Sequence, residues 1–236
     1  MSAPGRRLVT TALLVALCAA FLYQIGLLGM VVWFNFRDPS NTPVMQDTLN
    51  ALRAEDPRAR LAHEWVPYER ISPNLKRAVI ASEDSGFVDH DGVEWDAIRK
   101  AWSYNQRQAD LGRSRRRGGS TITQQLAKNL FLSNSRNYLR KGQELILTYM
   151  IEAVMSKRRI LELYLNVAQW GTATFGAQAA ARHYFRTDAA RLSSGQAAQL
   201  AAMLPNPAYY DRRGATAYLR SRAATVRARM SQVAVP

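Results

Sequence analysis

Residues 8–34 carry no charged side chain, and only Thr10, Thr11, Gln24 and small residues interrupt an otherwise apolar run. At the helical rise, such a run is long enough to cross the hydrocarbon core of a bilayer with some tilt. Tyr23, Trp33 and Phe36 can place aromatic groups near an interface. A cleaved signal peptide would have a much shorter apolar core. Around Cys18, bulky Leu17 stands where a lipoprotein-type cleavage pattern needs a small residue. The run therefore reads as an uncleaved anchor. Arg6 and Arg7 favour a cytoplasmic N-terminus, but Arg37 follows closely on the far side, so the charge bias is modest. The expected organisation is a cytoplasmic tip and transmembrane anchor over residues 1–36, a connector over 37–43, and an extracytoplasmic domain over 44–236.

The chain of 236 residues suffices for one sizeable domain plus an accessory segment, and 47% hydrophobic residues can supply a packed core. A formal net charge of +14, mostly arginine excess, implies an anionic partner. Nucleic acid, anionic lipid and a phosphorylated substrate all qualify on charge; a membrane anchor makes nucleic acid a poor candidate. Cys18 is the only cysteine, which excludes an intrachain disulfide and a cysteine-based zinc site.

Beyond the connector the pattern is helical, with no period-2 strand signal and no repeat. Trp95, Ile98 and Trp102 are spaced for one buried helical face. Residues 104–117, polar and basic up to Arg115, Arg116 and Arg117, read as a mobile loop that could touch lipid headgroups. Two glycines then open a helix that either Ser120 or Thr121 can cap, and Thr121 with Gln124 fits a capping box. Thr121, Gln125 and Lys128 fall at i, i+4 and i+7, a polar stripe at a helix start where anions bind. Residues 138–156 form a long helix with Arg140 and Glu144 four apart; its other sides are apolar enough for burial or lipid contact. Residues 215–233 read as an amphipathic closing helix, with Leu219, Ala223, Val226 and Met230 on one face and arginines opposite.

The chemistry is expected in residues 81–92. Glu83 and Asp84 stand side by side at the end of the apolar run 77–81, before a turn-rich stretch containing Phe87 and His90. Partial desolvation at such a position raises a carboxylate's pKa and can make it a general base. The plain alternative is a solvated helix end, and this stretch alone does not exclude it.

Four blocks carry a resemblance: Glu83 and Asp84 with Phe87, His90 and Gly92; the run GGSTITQQLAKN over 118–129; Arg140 and Lys141 with Glu144; and the stretch from Ser156 to Asn166. In this order they resemble glycosyltransferase family 51, the peptidoglycan glycosyltransferases that polymerise lipid II. Residues 171–185 and 192–207 resemble the two blocks that follow. Gln196 replaces a residue that is commonly acidic, and the ending PAYYD departs mildly from the more usual one. Neither Ser-x-x-Lys nor Lys-Thr-Gly occurs, so the resemblance is to the monofunctional members.

The resemblance implies an all-α, lysozyme-like glycosyltransferase domain behind one transmembrane helix, on the periplasmic side of the bacterial cytoplasmic membrane. It implies inverting transfer from an undecaprenyl-pyrophosphate-linked donor to the 4-hydroxyl of a lipid II acceptor. Glu83 matches the family's base. Glu144 matches its second glutamate, which either orients the site or helps hold a divalent ion. Lys128 and Arg140 match the pyrophosphate-binding positions, with Thr121, Gln125, Asn129 and Ser120 as neutral support. Asp84 and His90, with Phe87, are expected to shape the loop around Glu83. No cofactor is required, and a divalent cation at the pyrophosphate is allowed. The implied partners are lipid II, the growing glycan chain and the membrane, with cell-wall synthesis or division proteins admissible and nucleic acid excluded. The rival enzyme on such a fold is a muramidase or lytic transglycosylase. A glycosidase must protonate a sugar oxygen and has no pyrophosphate to neutralise, so the cationic positions favour transfer.

Overall fold

A computed structural model describes residues 3–113, 118–133 and 138–236. The architecture is all-α and lysozyme-like, preceded by one long apolar helix, α1 (Ala3–Phe36). Ten helices follow among the described residues: α2 (Pro43–Glu55), α3 (Pro73–Glu83), α4 (Trp95–Asp110), α5 (Ile122–Phe131), α6 (Tyr138–Val154), α7 (Lys157–Val167), α8 (Ala177–Phe185), α9 (Ser194–Met203), α10 (Pro207–Arg213) and α11 (Ala217–Arg229). The extended structure amounts to two parallel two-residue strands, β1 (Ala62–His63) and β2 (Thr174–Phe175), with Ala62 opposite Thr174.

Local signals set the helix starts. Thr42, Ser72, Thr121, Ser156, Ser193 and Thr216 each accept a backbone N–H from the first turn that follows, and prolines occupy the first turns of α2 and α3. The core has two connected halves. In one, α5 lies against α6, α7 and α2, burying Ile122, Leu126, Leu147, Ile151 and Leu161 completely. In the other, α3 packs with α9 and α11, and Leu75, Ala78 and Val79 of α3 and Ala197, Ala198, Ala201 and Ala202 of α9 are buried.

One buried amide joins these helices to the chain before α3. Asn166 is inaccessible to solvent; its Oδ1 accepts the Val66 N–H at 2.9 Å, and its Nδ2 donates to the Val66 and Glu162 carbonyls. The side chain thus acts as a one-residue strand partner for the 64–67 segment. His63, which has no chemistry in sequence, is also taken up structurally, its Nε2 3.0 Å from the Asn166 carbonyl oxygen.

α4 departs from the expected pattern in two ways. The helix runs on to Asp110, so residues 104–110 are helical and not loop. Arg115, Arg116 and Arg117 lie outside the described residues. The expected buried face is also corrected, since Trp95 and Trp102 are 54% and 67% exposed and Ala101 is the helix's only buried residue. The physical reason is a glycine contact. A β-carbon on Gly119 would stand 3.1 Å from the Ile98 Cα and 3.3 Å from the Ala101 Cβ. α4 therefore docks by its small Ala97–Ala101 side, roughly opposite the indoles.

Asn166→Ala should leave the Val66 N–H and C=O buried without their partner. Each orphaned group costs about 1–3 kcal/mol, so roughly 3 kcal/mol of stability should be lost. Thermal denaturation of the detergent-solubilised chain checks this; an unchanged Tm would show that the 64–67 segment finds other partners.

Candidate active site

α3 ends at Glu83, and Asp84 is its C-cap, the Asp84 N–H donating to the Ile80 carbonyl at 2.9 Å. Everything N-terminal to this point on the helix's inner face is buried, so Glu83 emerges from the core into a cleft. Its two oxygens have separate partners. Oε1 accepts from Ser82 Oγ at 2.9 Å, with the Arg222 guanidinium 3.8 Å away, and Oε2 accepts from Gln125 Nε2 at 3.1 Å. Burial raises the Glu83 pKa, while the hydrogen bonds from Gln125 and Ser82 and the charge of Arg222 oppose that rise.

The Gln125 amide is oriented from behind. Its Oε1 accepts from the Tyr164 hydroxyl at 2.9 Å. Tyr164 is fully buried, and burial together with the charges of Glu83 and Asp84 holds its phenol pKa well above the usual value. The phenol is therefore a fixed donor, which leaves the Gln125 NH₂ aimed at Glu83. The chain Tyr164–Gln125–Glu83 sets the carboxylate's direction without titrating.

Asp84 faces away from the cleft. Its Oδ1 pairs with His90 Nε2 at 2.8 Å, and its Oδ2 accepts the Ile122 N–H at 3.0 Å, at the start of α5. His90 Nδ1 accepts the Gly92 N–H at 3.0 Å. That contact requires an unprotonated Nδ1 and hence the tautomer that donates to Asp84 from Nε2. The hydrogen bond and charge of Asp84 raise the His90 pKa, with burial opposing. The Gly92 contact, which needs an unprotonated Nδ1, works against protonation as well. Gly92, at φ +83°, has no room for a β-carbon, which would come within 2.7 Å of Thr148 and Glu152. Phe87 is completely buried below this loop, with the Lys157 ammonium 4.8 Å from its ring centre.

The cleft itself has a volume of about 940 Å³. Ser120, Gln125 and Lys128 line it from the α5 side, Arg140, Lys141 and Glu144 from α6, and Glu83 from α3. Glu144 is 4% exposed, with Arg140 donating to its Oε2 at 2.8 Å and Lys141 paired to its Oε1. Each Glu144 oxygen thus faces a basic group, and the carboxylate holds both cations at the rim. Lys141 also donates to Ser120 Oγ at 3.3 Å.

Two members of the sequence set stand elsewhere. Thr121 is buried; its hydroxyl donates to the Gly92 carbonyl at 2.6 Å and accepts the Gln124 N–H, while Gln124 closes the capping box. It shapes the helix start and does not face the cleft. Asn129 is also buried and lines a smaller recess behind Lys128, with Gln125, Tyr164 and Gln169.

Among the lining residues not singled out in sequence, three come from α11: Tyr218, Arg222 and Arg229. At i, i+4 and i+11 they share a helical face, but that periodicity does not say what the face meets. Arg222 also donates to Ser82 Oγ at 3.2 Å. With these included, Lys128, Arg140, Lys141, Arg222 and Arg229 face two carboxylates among the described residues, Glu83 and Glu144. Such an excess suits a multiply charged anion.

Among the described residues, Asp84, His90 and Glu94 bring potential metal-ligand atoms within 4.8 Å of one another. Both His90 nitrogens are already engaged, one donating to Asp84 and the other accepting from Gly92, so the trio is better built to hold its loop than to bind an ion.

A buried carboxylate over a strongly basic cleft, on an all-α lysozyme-like domain behind an apolar helix, defines an anchored enzyme of carbohydrate chemistry. The transglycosylase family model matches residues 50–231. The chain is 64% identical to a biosynthetic peptidoglycan transglycosylase of Bordetella pertussis, over 98% of this chain and 95% of the relative. It is 50% identical to proteins of the same description from Herminiimonas arsenicoxydans, over 98% of each chain, and Chromobacterium violaceum, over 95% of this chain and 97% of the relative. The chain belongs to the transglycosylase family.

A buried carboxylate of raised pKa weakens the fold once it ionises. Below the ordinary carboxylate value of 4.5 both native and unfolded chains hold the Glu83 proton and no penalty arises. As pH rises from there through the native pKa, the unfolded chain ionises first and stability falls. Glu83→Gln should therefore raise Tm by a few degrees at neutral pH, about 2–4 °C per kcal/mol for a chain of this size, and the gain should vanish at acidic pH. A gain independent of pH would show that the shift is not its origin.

Proposed function

We propose that the protein polymerises lipid II into linear glycan strands of peptidoglycan. The observation that carries this reading is the opposition across one cleft of a buried glutamate and a cluster of basic side chains. A raised carboxylate pKa is common to glycosidases and glycosyltransferases, but the basic wall answers a need that only the transferase has. A pyrophosphate leaves readily once its growing negative charge is neutralised, whereas the acceptor's 4-hydroxyl is a weak nucleophile that needs a base.

The donor's pyrophosphate lies against Lys128, Arg140 and Lys141. Glu83 takes the proton of the acceptor 4-hydroxyl as its oxygen bonds to the donor's anomeric carbon. The bond from that carbon to the pyrophosphate oxygen breaks on the opposite face, so an α-linked donor becomes a β-linked product. Undecaprenyl pyrophosphate carries off the electron pair, and the proton on Glu83 returns to solvent before the next cycle. Glu144 acts by holding Arg140 and Lys141 in place. A divalent cation, where one takes part, would sit on the pyrophosphate oxygens, since both Glu144 oxygens already face basic groups.

The protein is anchored by α1. In this reading its N-terminus is cytoplasmic, and residues 44–236 form a catalytic domain on the periplasmic side, with lipid II and the growing glycan as partners.

Purified protein incubated with labelled lipid II should give polymer; degradation of preformed glycan instead would establish the hydrolase. Glu83→Gln should slow polymerisation by about 10²–10⁴-fold, the usual contribution of a general base, with donor binding retained. Near-normal chain formation by that variant would remove Glu83 from the role of base.

Arg222 opposes the rise in the Glu83 pKa. Arg222→Ala should let that pKa climb and move the acid limb of the pH–rate profile to higher pH. A profile that only scales down would leave Arg222 with a binding role alone.

A further inference from the structure

The apolar run in α1 contains one amide, Gln24, and the structure gives it one specific partner. Gln24 Nε2 donates to Gln143 Oε1 at 2.7 Å, and Gln143 Nε2 donates back to Gln24 Oε1 at 3.0 Å. Gln143 belongs to α6, the helix that carries Arg140, Lys141 and Glu144 into the cleft. An amide in an apolar helix is costly unless its donors and acceptor are satisfied within the protein. The reciprocal pair provides this, and it is lost if α1 rotates or slides.

Below the pair, α1 stays in contact with the domain along one stripe. Leu27 and Val31 are buried, and the Phe34 ring lies 5.8 Å from that of Phe131 in α5. The stripe ends in a clamp, where Arg159 donates to the carbonyls of Phe34 and Arg37 and pairs with Asp38 at 2.9 Å. The Arg159 clamp and the amide pair lie about ten residues apart on the helix, roughly 15 Å. A helix held at one end can pivot, but one held at two separated points has a fixed direction and rotation.

We propose that Gln24 is a positioning residue, whose amide pair with Gln143 locks the membrane helix to α6 and so fixes how the Arg140–Lys141–Glu144 rim is presented to a donor lodged in the bilayer. The inference rests on the polymerase reading for its substrate and on the geometry alone for the docking. The lipid tail of the donor is held by the membrane and its pyrophosphate must reach the rim, so the rim's height and tilt relative to the membrane govern the encounter. Gln24 touches neither the cleft nor the substrate; it acts through α6.

The test uses the full chain in vesicles of phosphatidylethanolamine and phosphatidylglycerol. The native Cys18, exposed on α1, and Tyr149→Cys on the half-exposed outer side of α6 carry spin labels for a distance measurement. The otherwise unaltered chain should give one narrow distance distribution. Gln24→Leu and Gln143→Leu should each broaden it, and the double variant should be no worse than either. Gln24→Glu, whose carboxyl is protonated in apolar surroundings and can then both donate and accept, should restore it.

In unlabelled chains, the same Leu substitutions should lower kcat/KM for lipid II about threefold to fifteenfold, matching the measured range for hydrogen bonds between membrane helices. The loss should fall on KM, with kcat and Tm kept. An unaltered distance distribution would overturn the docking. A broadened distribution with unchanged kinetics, or a loss spread over kcat and Tm, would overturn the positioning role. If the parent chain makes no polymer yet Gln24→Leu still broadens the distance, the docking stands and the polymerase reading fails.

Discussion

The Asp84 carboxylate joins the end of one helix to the beginning of another. Asp84 caps the end of α3 with its backbone and accepts the Ile122 N–H at the start of α5 with its side chain. That link crosses between the two halves of the core and brings Glu83, the last residue of α3, against Gln125 on α5. His90 supports Asp84 from the other side, and Gly92 supports His90 while accepting the Thr121 hydroxyl through its carbonyl. The loop from 84 to 92 and the first turn of α5 are therefore one hydrogen-bonded body. Asp84, Gly92 and Thr121 are buried and His90 half-buried, and the Glu83 carboxylate has no fixed place without them. The adjacent carboxylates divide the work by direction: one faces the cleft and the other faces the frame.

The blocks from 83 to 92 and from 118 to 129 were legible because their geometry is local. A capping box needs only residues three positions apart, and Thr121 with Gln124 forms one. The i, i+4 pair of Arg140 and Glu144 is local too, and the two side chains meet at 2.8 Å. What sequence did not convey was the aim of a helix whose place depends on distant packing. α11 carries arginines on several faces, and its position against α9 and α3 decides which of them enters the cleft. Periodicity identified the buried face of Leu219 and Val226 but could not say that Tyr218, Arg222 and Arg229 look toward Glu83. α4 shows the converse error. Two tryptophans at helical spacing suggest a core face, but α4 makes its close approach to Gly119 through the Ile98 backbone and the small Ala97–Ala101 side. The indoles were left on the outside.

In the proposed role of base, Glu83 is subject to two opposing demands. A base needs to be charged at the working pH, and burial works against that. Retaining too little burial would leave a carboxylate too weak as a base, while too much would leave it protonated. The structure sets the balance with two neutral donors and one long ion pair, the Arg222 guanidinium 3.8 Å from the carboxylate. Neutral donors favour the charged form without supplying a full countercharge, so the pKa stays above its ordinary value but is not driven to the extreme that burial alone would give. A lysine or arginine in contact would have reversed the shift and cost the base its strength. The basic side chains proposed to meet the leaving group are tied elsewhere: Arg140 and Lys141 to Glu144, on a different helix from Glu83. Glu144 thus keeps strong positive charge in the cleft while holding it away from the Glu83 carboxylate, the proposed proton acceptor.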